Sequence, residues 1–250
     1  MQTQHVPVIS LHYWLVFAVA TLFGANAGDL IVGQLARWDL DAFHLPLLAI
    51  VVLAVLVAEV LDKSPGTRWY WLAIIVIPML SNDLGATSAS YFGIDRIWIF
   101  AGIAVVLVVT FLVVRSDAMH LVAMSLMLRP KPAVPLTDAC YWIAMVLAAA
   151  LGYVASDHLI YSLGLAPRWS ALILATLVAL ASYLFVKRVS NRALLYWFMI
   201  VAINSTANSL GIFLAGPRVG IGLFASVAAA GLVLAALLLF RPREDSATAP

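Results

Sequence analysis

Eight long apolar runs, each closed by a short polar cluster, leave this chain few folds to choose from. They cover residues 11–33, 45–61, 69–87, 97–114, 139–163, 169–186, 194–215 and 218–240. A helix that crosses the hydrocarbon of a bilayer needs about 17–25 mainly apolar residues, and these runs have that length. The breaks between them are compact: Asp62-Lys63-Ser64-Pro65-Gly66, Asp95-Arg96, Pro167-Arg168, 187–192 and Gly216-Pro217-Arg218. No run shows the alternation that a membrane β-strand requires. Of the 250 residues, 64% are hydrophobic and 10% charged. An ordinary soluble domain carries about 25% charge. This composition excludes a soluble enzyme, a nucleic-acid binder and a disordered scaffold. It predicts an all-α polytopic membrane protein of eight transmembrane helices whose first partner is the lipid bilayer.

The cysteine and the basic residues narrow the reading further. Cys140 is the single cysteine, so no intrachain disulfide and no Cys-x-x-Cys metal site can form. The first Lys or Arg is Arg37, so the positive region that opens a secretory signal peptide is missing and the first run is expected to stay as a membrane helix. The second, fourth and sixth connections and the tail carry Lys63, Arg68, Arg115, Arg129, Lys131, Lys187, Arg188, Arg192, Arg241 and Arg243. The other connections carry Arg37, Arg96, Arg168 and Arg218. Ten against four puts both termini on the cytoplasmic side. The chain divides into a first half (1–114), a cytoplasmic linker (115–138), a second half (139–240) and a polar tail (241–250). Met119, His120, Met124 and Met127 in the linker read either as a soft-metal site or as one face of an interfacial helix.

An aromatic pair opens every odd-numbered run: Tyr13-Trp14, Tyr70-Trp71, Tyr141-Trp142 and Tyr196-Trp197. The tryptophans are 57, 71 and 55 residues apart, the larger spacing holding the linker. A small, polar stretch follows each pair: Gly24 to Asp29, Ser81 to Ala86, Gly152 to Asp157, and Ala207 to Ile212. Each copy then reaches one arginine, three of them beside a tryptophan (Trp38, Trp98 and Trp169). Trp and Tyr favour the membrane–water seam, so the two sets of rings are expected to form an inner and an outer aromatic belt.

This pattern resembles a bacterial membrane-protein family of unknown function built from four tandem two-helix repeats, each with a tryptophan. The resemblance rests on Tyr-Trp followed by Gly-x-x-x-small-Asp, which Tyr13-Trp14 with Gly24 to Asp29 and Tyr141-Trp142 with Gly152 to Asp157 match. Copies two and four have Ala86 and Ile212 where the pattern places Asp, and Asp83 stands three positions early. The resemblance implies four pseudo-repeated hairpins in a bacterial cytoplasmic membrane and supplies no activity.

Carboxylates inside a span cost about 2.5–3.5 kcal/mol at the bilayer centre and so mark candidate function. Asp29 and Asp157 lie roughly 22 Å, and Asp83 roughly 18 Å, beyond their own tryptophans at 1.5 Å per residue, in the outer half of the membrane. Every odd-numbered helix runs in the same direction, so the four pseudo-repeated hairpins are expected to be parallel and these aspartates to meet Asn26, Asn82, Asn204, Asn208 and His158 at one depth around a shared axis. Gly24, Gly28, Gly85, Gly152 and Gly211 then allow the helices to approach closely. Oxygen-rich and free of lysine, the cluster suits a hard cation or a proton. Arg37, Arg96, Arg168 and Arg218 form a ring at its outer mouth or neutralise the aspartates. His158 reads as a proton relay, a metal ligand or a packing residue, and Glu59 as a side chain that snorkels to the inner boundary. His12, His44 and His120 are too scattered for a bis-histidine haem.

No Gly-x-Ser-x-Gly, His-Glu-x-x-His or phosphate-binding glycine loop occurs, and no span contains a lysine for a Schiff base. An enzyme and a cofactor are therefore not expected. The sequence points to a small secondary transporter or channel for a cation, either a metal ion or a proton-coupled substrate. The alternative is a non-catalytic scaffold or sensor that binds a partner protein.

Overall fold

The computed structural model describes residues 6, 7, 9–62, 66–113, 138–187, 192–216 and 220–240, and of residues 41, 85–92, 111–113, 192 and 193 the backbone alone. Linker residues 115–137, with Met119, His120, Met124 and Met127, together with Arg218 and the tail lie outside the described residues.

Among the described residues the fold is all-helical. Its eight α-helices are α1 (Leu11–Arg37), α2 (His44–Leu61), α3 (Arg68–Phe92), α4 (Arg96–Val113), α5 (Ala139–Asp157), α6 (Pro167–Lys187), α7 (Arg192–Ala215) and α8 (Leu223–Leu239). Five helical segments are long and apolar enough to cross a membrane: Leu11–Arg37, His44–Leu61, Ala139–Ser162, Pro167–Lys187 and Leu194–Ala215. Arg96–Thr110 and Leu223–Leu239 are shorter apolar helices. The last helix begins later than its apolar run predicts, after Gly222 at φ 87°, a conformation that favours glycine.

Local chemistry sets the helix starts. Ser10 and Asp138 accept hydrogen bonds from the backbone N–H of Tyr13 (3.2 Å) and Tyr141 (2.7 Å), satisfying donors that a first turn leaves free. Each cap stands three residues before a tyrosine of the aromatic pairs. Pro167 opens α6, where its missing N–H costs nothing. Pro78 lies inside α3, so the Ile74 carbonyl receives no N–H from the position four residues on.

Four helices make a closed inner ring: α1 packs on α3, α3 on α5, α5 on α7, and α7 back on α1. The other four form an outer layer with a regular offset. Each lies on the inner helix that follows it in the chain, α2 on α3, α4 on α5, α6 on α7, and α8 on α1. The layers differ in burial as this arrangement demands. Leu53 on α2, Val105 on α4, Leu180 on α6 and Leu232 on α8 are exposed, whereas the aromatic ends of the inner helices are closed off.

At those ends the hydroxyls of Tyr13, Tyr70, Tyr141 and Tyr196 form a hydrogen-bonded ring, with O···O distances of 2.6, 3.1, 2.9 and 3.1 Å in cyclic order. Each ring also packs against a tryptophan of a neighbouring helix: Tyr13 on Trp71, Tyr70 on Trp142, Tyr141 on Trp197 (each 5.7 Å) and Tyr196 on Trp14 (5.5 Å). The expected inner aromatic belt is therefore corrected. The four tyrosines are between 0% and 6% exposed, and their hydroxyls satisfy one another instead of reaching a lipid headgroup. Trp38, Trp98 and Trp169 are exposed.

Glu59 corrects a second expectation. It does not snorkel: it is 0% exposed, and Trp142 Nε1 donates to its Oε2 at 2.9 Å across α2 and α5.

Above the tyrosine ring the inner helices close tightly. Four residues on stand Phe17, Ile74, Met145 and Ile200, and seven on Ala20, Ile77, Ala148 and Ile203, all buried. Eleven on, glycine is required twice. A Cβ on Gly24 would run into the Ile75 carbonyl oxygen, and one on Gly152 would lie 2.6 Å from the Val201 oxygen and 2.7 Å from Asn204 Cβ. These approaches hold α1 to α3 and α5 to α7 at backbone contact.

Candidate functional site

The carboxylates gather toward the other end of the inner ring, each with a partner on a neighbouring helix. Asn82 Nδ2 on α3 donates to Asp29 Oδ1 on α1 at 2.7 Å. Asn208 Nδ2 on α7 donates to Asp157 Oδ1, the last residue of α5, at 2.9 Å. Asp83 Oδ2 lies 3.0 Å from His44 Nε2 on α2. Asp29 is within electrostatic reach of both Asp83 and Asp157. Exposure falls across the set: Asp29 is exposed, Asp83 half-buried and Asp157 6% exposed. These cross-helix contacts, together with the tyrosine ring at the opposite end, show that the inner helices run in one direction.

The remaining candidates divide. Asn208 joins the site directly through Asp157. Asn26 does not: it is 1% exposed, its Nδ2 donates to Ser226 on α8 at 2.6 Å, and its Oδ1 fills the space that a Cβ on Gly211 would take. Although residues three apart share a helix side, these contacts turn Asn26 toward α7 and α8. Asn204 uses its Nδ2 on the Ile200 carbonyl of its own helix at 2.8 Å, leaving its buried Oδ1 without a partner. His158 begins a π-helical turn, His158–Ser162, and its buried Nδ1 has no partner. Such turns often accompany functional sites because they redirect side chains from the regular helical register.

The outer arginines do not act alike. Arg96 is half-buried, stands 5.1 Å from the Tyr161 ring centroid and places its charge within reach of Asp157. Arg168 lies over the Trp169 ring at 5.4 Å, and both Arg168 and Arg37 are exposed. Among the described residues no arginine forms an ion pair with Asp29, Asp83 or Asp157.

Other groups join the aspartates. His44, expected near the outer face but not grouped with them, is brought to Asp83 by the packing of α2 on α3. Ser209 shares hydrogen bonds with Ser156 (2.6 Å) and Ser170 (2.8 Å), knitting α5, α6 and α7 together beside Asp157. The Tyr153 hydroxyl is fully buried, has no partner and lies within reach of the charges on Asp29 and Asp157. Only Tyr153, four positions before Asp157, had a signal in the sequence. The serines and His44 depend on which helix lies next to which.

Among the described residues no group of three or more His, Cys, Asp or Glu side chains is placed to hold a metal ion. Comparison of the chain with family models, with curated proteins and with solved structures finds no match.

Proposed function

We propose that this protein is a small cation transporter or channel of the bacterial cytoplasmic membrane. In this reading it has eight spans arranged as four tandem two-helix repeats, with both termini in the cytoplasm. The observation that carries the proposal is the gathering of Asp29, Asp83 and Asp157 from three inner helices, with a buried phenol that has no partner, Tyr153, in reach of Asp29 and Asp157. Buried polar groups normally find partners, so an orphan beside carboxylates favours an occupant that supplies the missing interaction. The helix directions add to this, because the C-terminal ends of the inner helices carry partial negative charge toward the same region. Graded exposure from Asp29 to Asp157 suits entry from the outer side. The tyrosine ring and the apolar layers above it suit a barrier toward the inner side.

The alternative, a non-catalytic scaffold or sensor, draws support from one feature: each aspartate already has an Asn or His partner. In that case the carboxylates fix helix register and an amide serves equally well.

Flux separates the two. The protein would be reconstituted in proteoliposomes, and uptake of monovalent cations, divalent cations and protons measured under an imposed gradient. We expect flux of at least one cation, lost in Asp29→Asn/Asp157→Asn although the variant remains folded. Absence of flux for every cation, or flux unchanged in the double variant, overturns the transport reading and turns attention to partner capture.

A further inference from the structure

We infer that the bundle consists of two rigid units that rock against each other, with the tyrosine ring as the lock between them. One unit is α1, α2, α3 and α8, and the other is α4, α5, α6 and α7. The inference rests on the proposed transport function and deepens it by naming the parts that move and the contacts that hold them shut.

Packing divides the helices this way. In the first unit α1 lies on α3, α2 on α3 and α8 on α1. In the second, α5 lies on α7, α4 on α5 and α6 on α7. Inside each unit the inner helices meet at their backbones. Gly24 and Gly28 of α1 face the Ile75 carbonyl and the Met79 Cα of α3, and Gly152 of α5 faces the Val201 carbonyl of α7. Ser205 Oγ adds a bond to the Gly152 carbonyl oxygen at 2.8 Å. Between the units α3 meets α5 and α7 meets α1, and the glycine contact there is with a side chain, Gly211 on Asn26. An apolar groove of about 460 Å³ runs between α2 and α5, with Leu53, Val57 and Val60 on one wall and Ile143, Val146 and Leu147 on the other. This flank of the boundary is not close-packed.

Polar contacts sort by end. Toward the carboxylate end the partners belong to one unit. Asn82 with Asp29, His44 with Asp83 and Asn26 with Ser226 lie in the first. Asn208 with Asp157, and Ser209 with Ser156 and Ser170, lie in the second. At the tyrosine end hydrogen bonds cross the boundary instead. They are Tyr13 with Tyr196 and Tyr70 with Tyr141, each 3.1 Å, and Trp142 Nε1 to Glu59 at 2.9 Å. The two ring bonds inside the units are shorter, 2.6 Å for Tyr13 with Tyr70 and 2.9 Å for Tyr141 with Tyr196.

Hydrogen bonds of this kind can be exchanged for water at small net cost, which suits a lock that opens. At the other end Asp29 and Asp157, one on each unit, lie within electrostatic reach of each other. Like charges on the two sides of the boundary hold the carboxylate ends apart. A cation between them offsets that repulsion and draws those ends together. Because each unit moves as a rigid body, the tyrosine ends then part and exchange their crossing bonds for water. Rocking of this kind passes a bound ion from one side to the other around a fixed site. The arrangement bonded across at the tyrosine end is the one closed to the cytoplasm.

The test uses the full chain in detergent with Cys140→Ser, so that one introduced thiol is the reporter. Ala148→Cys, in the apolar layers beside the ring, would be followed for its rate of modification by a hydrophilic methanethiosulfonate reagent. Ala20→Cys, in the other unit, is a second reporter, and both positions are 0% exposed. Rates and thermal stability would be read in choline chloride and after exchange for NaCl, KCl, MgCl2, CaCl2 or MnCl2 at constant ionic strength. An ion that binds only the folded state raises Tm. We expect at least one of these ions to raise Tm and yet speed modification about fivefold or more, and both effects to vanish in Asp29→Asn/Asp157→Asn. Trp142→Phe, which cuts a bond across the boundary, should speed modification without any of these ions. Ser209→Ala, which cuts bonds inside one unit, should leave the rate unchanged. No acceleration by any ion in either reporter overturns the inference. So does equal acceleration by Trp142→Phe and Ser209→Ala, the sign of general loosening. Proteoliposome flux of an ion that does not speed modification refutes the rocking and leaves the transport reading standing. Absence of all flux refutes that reading itself.

Discussion

Replacing tyrosines of the hydroxyl ring with phenylalanine should give a stability series that is not monotonic in the number of changes. The four hydroxyls make four hydrogen bonds, so each can donate once and accept once. Tyr13→Phe removes the bonds to Tyr70 (2.6 Å) and Tyr196 (3.1 Å) and leaves two. At about 1 kcal/mol net per bond the single change costs about 2 kcal/mol. The adjacent pair Tyr13→Phe/Tyr70→Phe leaves only the Tyr141–Tyr196 bond and costs about 3 kcal/mol. The diagonal pair Tyr13→Phe/Tyr141→Phe leaves none and strands Tyr70 and Tyr196 in an apolar setting, for about 4 kcal/mol. Converting all four strands nothing. Because removing every partner together avoids an unsatisfied buried group, the quadruple variant should be more stable than the diagonal pair. Equilibrium unfolding in mixed micelles, followed by tryptophan fluorescence, would read this order, since a tryptophan packs against each tyrosine. Equal cost for adjacent and diagonal pairs, or steady loss through to the quadruple variant, would refute the reasoning that the ring acts as one closed network.

Other perturbations test the packing around it. Gly152→Ala should cost about 1–3 kcal/mol in the same unfolding assay, because its Cβ meets the Val201 oxygen at 2.6 Å. Gly102→Ala has nothing within 4 Å in the same test and should stabilise α4 by about 0.5–1 kcal/mol. Trp142→Phe withdraws an indole donor from the buried Glu59 and should cost about 1.5–3 kcal/mol, with Trp142→Phe/Glu59→Gln recovering part of the loss. Ser209→Ala removes two buried hydroxyl contacts and should destabilise by roughly 1–3 kcal/mol, measurable as a lower unfolding midpoint.

The polar stretches show how far a sequence can be read. Asp29, Asp83 and Asp157 were recognisable because a carboxylate in an apolar run is costly wherever the helix packs. Asn82 and Asn208 were recognisable as their neighbours. Asn26 was assigned to the same group on sequence spacing alone, and the packing of α1 against α7 and α8 turned it elsewhere. Thr21 has no signal in the sequence, and Ser81 only its place in a small, polar stretch. A hydroxyl in a helix has an intrahelical partner at hand, and only the folded geometry shows that both buried hydroxyls leave it unused.

What the sequence determined by itself is the helical class, the positions of the runs and the recurrence of Tyr-Trp. Each follows from local composition: apolar length, polar breaks and the caps Ser10 and Asp138 that start helices three residues before a tyrosine. What the tertiary structure decided is neighbourhood. The sequence reading treated consecutive helices as hairpins, yet α2, α4 and α6 each lie chiefly on the next inner helix and α8 returns to α1. That offset sets His44 against Asp83 and Ser170 against Ser209. The closed inner ring turns four tyrosines, expected at a wet boundary, into one another's hydrogen-bond partners. Buried polar groups must be satisfied, and it is the arrangement of the described helices together, not the content of any one, that settles by whom.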